Sequence, residues 1–356
     1  MLPTMRLGAR FASVAALASL LVACGGTTMP PRNIGGAILP SLHTLTTIGS
    51  AVDPGPGVGA GDQNPYGLAI APISAGALTA GDLVVCNFND AANVQGTGTT
   101  IVALHPVAGA TPTHLLQSPV LLGCAALSLD ATDTIFTVAL VANDAPIVSP
   151  AGALLNADTN AAWAGPWGAI VGNGFVFEAE ELSGTIVRFT SSAGAVANVT
   201  TVVTGISGNA GVPGSVLAAA GLTYDAANDT LYVVDGNTNR LLAFSSVSTL
   251  PANAIAIAGT GFSGPSAADA RVVFSGAPLN GPISAALLAN GDVVVGNTGD
   301  NNLVEISPTG KLMAEKLVDT GATGAIFGIA TSGTTAASQK IYFNDDNANV
   351  VMLVSQ

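Results

Sequence analysis

The chain has 356 residues, with 22 Asp and Glu against 9 Lys and Arg, a formal charge of −13. Affinity for nucleic acid comes mainly from Lys and Arg neutralising phosphate, so this balance excludes a nucleic-acid-binding role. Charged residues make up only 9% and aromatics 5%, while glycine alone numbers 43, a usage that suits short strands and tight turns rather than long amphipathic helices.

The N-terminus carries Arg6 and Arg10, then an apolar run from Phe11 to Val22 interrupted only by Ser13 and Ser19. Positive charge before a short apolar run is the pattern of a secretory signal, and the run is shorter than the ~20 residues a membrane-spanning helix needs. It ends in Leu21-Val22-Ala23-Cys24, which resembles the lipobox of bacterial lipoproteins. The resemblance implies cleavage before Cys24 and acylation of that cysteine, several chains at one site holding far more firmly than one. Residues 1–23 are therefore expected to be a lipoprotein signal peptide, and 24–40, rich in Gly and Pro, a flexible tether. Gly25 stands where, in that family, an Asp would direct retention at the inner membrane, so the expected location is the cell envelope, with the outer membrane favoured over the inner. Removal of Arg6 and Arg10 with the signal takes the formal charge from −13 to −15.

From residue 41 to 356 the chain is built of repeats. The clearest unit combines 221–225, 229–235 and 240–244, three apolar strands separated by polar turns, and 283–288, 291–297 and 302–306 repeat it. Asp235 to Leu241 and Asn297 to Leu303 are both six residues, so the two copies are in register. The frame returns at 67–70 with 81–87 and 100–104, at 174–180 with 185–189, at 340–344 with 349–353, and in degenerate form over 124–148. Six units at intervals of roughly 35 to 65 residues predict an all-β, six-bladed β-propeller. Outer fourth strands are expected at Thr113–Gln117, 199–203, 254–258 and 311–318. The last unit lacks one, and the unassigned strand at about 42–48 is expected to pair with 350–354, closing the ring and removing two open sheet edges.

The segments 258–264, 277–282 and 235–241 resemble those of NHL-repeat proteins, most strongly over 221–310. The resemblance implies a six-bladed propeller, in agreement with the count of units, and a ligand face at the turns that follow the second strands.

At the end of the second strand the units carry Asn87, Ala139, Glu180, Asp235, Asn297 and Asn344, five of them with a side-chain oxygen. Two readings follow. Oxygens converging on a channel form a candidate ring for Ca²⁺, which takes six to eight oxygen ligands; alternatively each residue closes its own turn through a backbone hydrogen bond. Asp90, Asp300, Asp345 and Asp346 lie in the same turns and make that face negative. Trp163 and Trp167, flanking Gly165 and Pro166, either present an aromatic pair to a ligand or cover a weak blade. With Cys24 acylated, Cys86 and Cys124 form either one disulfide or two buried thiols. His43, His105 and His114 are isolated in sequence, which argues against the histidine-dependent lyase branch of the NHL group.

The functional reading is a lipid-anchored, extracytoplasmic platform, monomeric, that binds a protein or small-molecule ligand, with binding favoured over catalysis and enzymatic activity left open. Two alternatives stay open. One is a calcium-dependent lactonase resembling gluconolactonase, with Glu180, Asn297 and Asp235 as the metal set although the surrounding motifs are missing; the other is a structural envelope lipoprotein without a dedicated ligand.

Overall fold

The computed structural model describes residues 35–157, 159–209, 211 and 217–356; the signal sequence, Cys24 and most of the expected tether lie outside these. The described chain is a six-bladed β-propeller. Blade I comprises Gln63–Ile70, Leu83–Asn89, Thr100–Leu104 and Thr113–Gln117, and blade II Cys124–Leu129, Ile135–Ala139, Ile147–Val148 and Leu154–Asn156. Blade III comprises Pro166–Gly172, Phe175–Glu180, Thr185–Ser192 and Ala195–Thr204; blade IV Ala219–Asp225, Thr230–Asp235, Arg240–Phe244 and Ala270–Ser275. Blade V comprises Pro282–Leu287, Val293–Asn297, Asn302–Ile306 and Leu312–Leu317. In blade VI, Ile326–Ser332, Lys340–Asp345 and Val350–Ser355 are completed by Thr44–Ser50 from the N-terminal end. The ring closure expected from the sequence is therefore present, with Leu45 opposite Val354 and Thr47 opposite Met352.

The first strand of every blade packs against the first strands of both neighbours, forming a closed inner wall. The second strands are buried along their whole length in blades I, II, IV and V, so they read as unbroken apolar runs such as Val293–Val295 rather than as alternating ones. Core clusters lie between adjacent blades, for example Tyr232, Val234 and Leu241 of blade IV against Ala285, Val293 and Val295 of blade V. The face where the second strands end and the blade connections enter is called upper here; the face of the first-to-second-strand turns is lower.

Three expectations are corrected. The segment 254–258 is not the fourth strand of blade IV, a place taken by Ala270–Ser275. Instead Ile255–Ala258 runs parallel to the end of the fourth strand of blade III and folds back on Gly261–Ser263, because Ile255 and Ile257 bury their side chains in the core cluster shared by blades III and IV. The propeller core begins inside the segment 24–40 expected as a tether: Ile38 and Leu39, with Leu42 just after them, are at most 1% exposed, in a core cluster with Leu303 of blade V and Phe343 of blade VI. In blade VI the residue in register with Asn87, Glu180, Asp235 and Asn297 is Asp345 and not Asn344, since Ile326 pairs with Asp345 as Pro65 pairs with Asn87.

Cys86 and Cys124 are joined by a disulfide, with Cα atoms 5.9 Å apart, linking the second strand of blade I to the first strand of blade II. The bond closes a loop of sequence separation 38. The double variant Cys86→Ala, Cys124→Ala is expected to lose about 3 kcal/mol of stability through the freed unfolded-state entropy. Urea unfolding, read beside a thiol titration that finds no free thiol in the native protein, checks this.

Candidate functional site

All six first strands carry a β-bulge at the same level. The pairing slips at Pro65/Gly67, Cys124/Ala126, Pro166/Gly168, Ala219/Leu222, Pro282/Ser284 and Ile326/Ile329. A bulge re-aims the extra residue and tightens the local twist. The bulged residues Tyr66, Ala125, Trp167, Ala220, Ile283 and Phe327 accordingly collect in one cluster, which Phe88 joins. Tyr66 stacks on Phe88 and on Phe327, with centroids 4.2 and 3.8 Å away, and Trp167 lies 5.6 Å from Tyr66 and 5.7 Å from Phe88.

The next residue in each strand is small: Gly67, Ala126, Gly168, Gly221, Ser284 and Gly328. Neighbouring first strands come so close here that a Cβ on Gly168 would lie 2.1 Å from the carbonyl oxygen of Ala220, and one on Gly328 2.4 Å from that of Tyr66. Below this level a cavity of about 330 Å³ runs along the axis, lined by all six first strands. Its upper end is closed by the buried side chains of Tyr66, Ala125, Trp167 and Ile283. At its lower end the wall residues Ile70, Leu129, Ile170, Tyr224, Leu287 and Thr331 are only half-buried.

The expected oxygen ring takes a different form. In four blades the side chain ending the second strand grips the connection that leads into its own blade. Asn87 donates to the carbonyl of Ala51 (3.0 Å), Glu180 accepts from the amide of Ala164 (2.7 Å), Asp235 accepts from the Ser207 hydroxyl, and Asn297 donates to the carbonyl of Pro278 (2.8 Å). Asp235 is further closed by Arg240 at 2.8 Å and by Thr238. Asn344, on the other face of its strand, donates to the carbonyl of Gly67 across the blade VI to blade I boundary. These five residues are thus distributed among the blades, and among the described residues no group of three or more His, Cys, Asp or Glu side chains is placed to hold a metal ion.

Trp163 and Trp167 are both buried and well separated in role. Trp163 packs edge-on against Phe189, 5.5 Å away, in the core between blades II and III, whereas Trp167 belongs to the axial cluster.

One position beyond the second-strand ends, facing the axial cluster, stand Phe88, Glu181 and Asp346. Glu181 is fully buried with both carboxyl oxygens lacking a hydrogen-bond partner, and burial alone pushes its pKa up to about 9. Asp346 accepts from Asn64 Nδ2 (3.2 Å) through one oxygen while the other lacks a partner; burial, with Asp345 adding, raises it to about 7. Burial first, then the fields of Asp346 and Glu181, hold the Tyr66 phenol well above its ordinary value. At neutral pH Glu181 is therefore a neutral hydrogen-bond donor beside an aromatic surface, and Asp346 is poised between its two forms.

A second acidic group lies in the wall between blades II and III. Phe177 and Ala179 turn toward blade IV, so Glu178 and Glu180, on the opposite face of the strand, look toward blade II and Asp144. Burial, then Glu180 and Asp144, drive the Glu178 carboxyl well above its usual value, and burial raises Glu180 to about 8 despite the Ala164 amide. The histidines also find partners that their sequence surroundings did not announce: His105 Nδ1 lies 2.5 Å from Asp82, and His114 Nδ1 2.8 Å from Asp53.

No protein-family model and no curated protein sequence matches the chain. Solved structures share its fold. A catalytically inactive virginiamycin B lyase from Staphylococcus aureus, crystallised with quinupristin, superposes with a TM-score of 0.52 at 15% identity over 82% of this chain and 80% of that one. A nidogen/laminin complex gives 0.53 at 15% identity over 77% and 87%, and a gluconolactonase from Xanthomonas campestris 0.56 at 12% identity over 83% and 87%. At such identities the likeness establishes the six-bladed propeller alone.

Glu178, Glu180, Glu181 and Asp346 all bind their protons more tightly in the folded chain than in the unfolded one. Folding therefore takes up protons above about pH 4.5, and stability falls as pH rises toward the folded values of about 7, 8 and 9. Urea unfolding should give its highest stability near pH 5 and a decline to pH 9. Glu181→Gln should flatten that decline by up to about 1.4 kcal/mol per pH unit at its steepest.

Proposed function

We propose that this chain is a lipoprotein of the cell envelope, acylated at Cys24 and held at the outer membrane, whose propeller is a monomeric binding platform. The site is the upper axial mouth, and the observation that carries it is the meeting of the six bulged residues with Glu181 and Asp346. A structural ring has no need to leave three buried carboxyl oxygens unpartnered around an aromatic surface, at a cost of about 1–3 kcal/mol for each unpaired polar group. Such a cluster, apolar in the middle with a few polar groups at its edge, has the composition of a small-ligand or anchor-residue pocket. Because Phe88 and the bulged residues other than the half-buried Phe327 are buried, a ligand reaches it by displacing the side chains that cover it. The lactonase reading has no comparable support, because Asp235 is closed by Arg240, and Glu180 and Asn297 each hold their own blade connection.

Two measurements test the reading. Cys24→Ala should move the protein from the membrane fraction to the soluble periplasmic fraction and abolish incorporation of an alkynyl fatty acid; retention in the membrane would refute the anchor. A panel of small molecules and peptides, screened by melting shift, should yield binders whose shift is lost in Glu181→Gln and in Phe327→Ala. Binders unaffected by both substitutions would place the site elsewhere.

A further inference from the structure

The chain joins the propeller at a fixed place on one face. The amides of Ile38 and Leu39 donate to the Glu305 carboxylate at 2.8 Å, Ile38 to both oxygens, while the side chains of both residues and of Leu42 are buried between blades V and VI. Asn290, in the first-to-second-strand turn of blade V, donates to Glu305 (3.1 Å) and to the carbonyl of Gly36 (3.5 Å). That turn belongs to the lower face, so the described chain begins, at residue 35, at the lower rim.

Charge has the same polarity. The exposed cations Arg271, Lys311 and Lys340 stand at the lower ends of blades IV, V and VI, on either side of the point of departure, with His43 beside them. Arg271 is fixed there by its bond to the Pro308 carbonyl at 2.8 Å. Most acids of those lower turns are turned inward or engaged: Asp225, Asp292 and Glu305 are buried, Asp229 is taken by Tyr224 and Ser248, and the half-buried Asp269 accepts from the Ser245 hydroxyl. The upper face has the opposite character, with Asp90, Asp300, Asp319 and Asp346 in or beside its turns; of its cations Arg240 is buried against Asp235 and Lys316, at the upper end of blade V, is half-buried.

We propose that the propeller rides with its lower face against an anionic bilayer surface, so that the upper axial mouth faces away from the membrane. The inference rests on acylation of Cys24. The ten residues between Cys24 and the first described residue can reach at most about 36 Å by covalent geometry alone. Strands of this length make the propeller roughly 20–25 Å deep, and because the described chain begins at the lower rim the lower face is the one nearer to an anchor at Cys24. Arg271, Lys311 and Lys340 then meet the negative headgroups, an attraction confined to within about a Debye length of the surface.

The full-length acylated protein, added to preformed vesicles containing phosphatidylglycerol and a rhodamine-labelled lipid, provides the test. A donor fluorophore is placed on Thr309→Cys, in the lower turn beside Lys311, or on Ala348→Cys, in the upper turn of blade VI. Both positions are exposed, and with Cys24 acylated and Cys86 bonded to Cys124 the introduced thiol is the one that reacts. Energy transfer to the lipid should be at least twofold stronger from Thr309→Cys. Equal or reversed transfer from vesicle-bound protein overturns the orientation and leaves the anchor standing. Protein that fails to float with the vesicles overturns the anchor, and the orientation with it.

Discussion

The crowding of six first strands around one axis is the constraint from which the rest of this structure follows. Where they approach most closely, a side chain cannot be accommodated at Gly168 or Gly328, because the neighbouring strand's backbone occupies the place of its Cβ. The preceding residue is displaced as a bulge in every blade, and the six displaced side chains can only converge. What they are then decides the character of the axis. Tyr66, Trp167, Ile283 and Phe327 make it apolar and closed above, whereas smaller residues at all six positions would leave it open from face to face. The propeller thus keeps a cavity below and a sealed, aromatic surface above.

The second strands solve a different problem. A blade connection arriving over the upper face brings backbone groups that need partners, and the side chain at the end of the second strand supplies one. An amide can donate to a carbonyl, as Asn87 and Asn297 do, and a carboxylate can accept from an amide or hydroxyl, as Glu180 and Asp235 do. Either chemistry serves, so the position keeps a polar oxygen while its identity varies from blade to blade. That variation has the look of a ligand set in sequence, although each member acts within its own blade.

This explains what the sequence discloses and what it hides. Unit spacing and apolar strands follow from burial of whole strands, so six blades and the closing strand could be read directly from residues 42–353. The bulges could not, since a slip of one residue leaves no mark on a strand that is apolar on both faces; Asp345, by contrast, is legible, because Lys340–Asp345 aligns residue for residue with Thr230–Asp235. Ile255–Ala258 has the composition of an outer strand and becomes one, but on blade III. Pairing of His114 with Asp53 joins residues far apart in sequence, which no local pattern reports. Glu178 and Glu181 did carry a signal: acids in or directly after a strand that the repeat frame makes central are bound to be buried, and buried carboxyls shift upward in pKa.

The N-terminal connection completes the same logic. A ring closed by its first strand is most easily opened by pulling on that strand, and Thr44–Ser50 lies only a few residues after the tether. Were the described chain to begin at Thr44 itself, any pull on its N-terminal side would act directly on the terminal pair Thr44 and Ser355. Any pull on the chain ahead of residue 36 meets Ile38 and Leu39 first, where the hydrogen bonds to Glu305 and the burial of both side chains must fail before the closing strand feels it. Glu305 stays worth its burial because it accepts those amides together with Asn290. The clamp therefore isolates the ring closure from whatever acts on the chain ahead of it, so that the first strand is held by more than its own pairing.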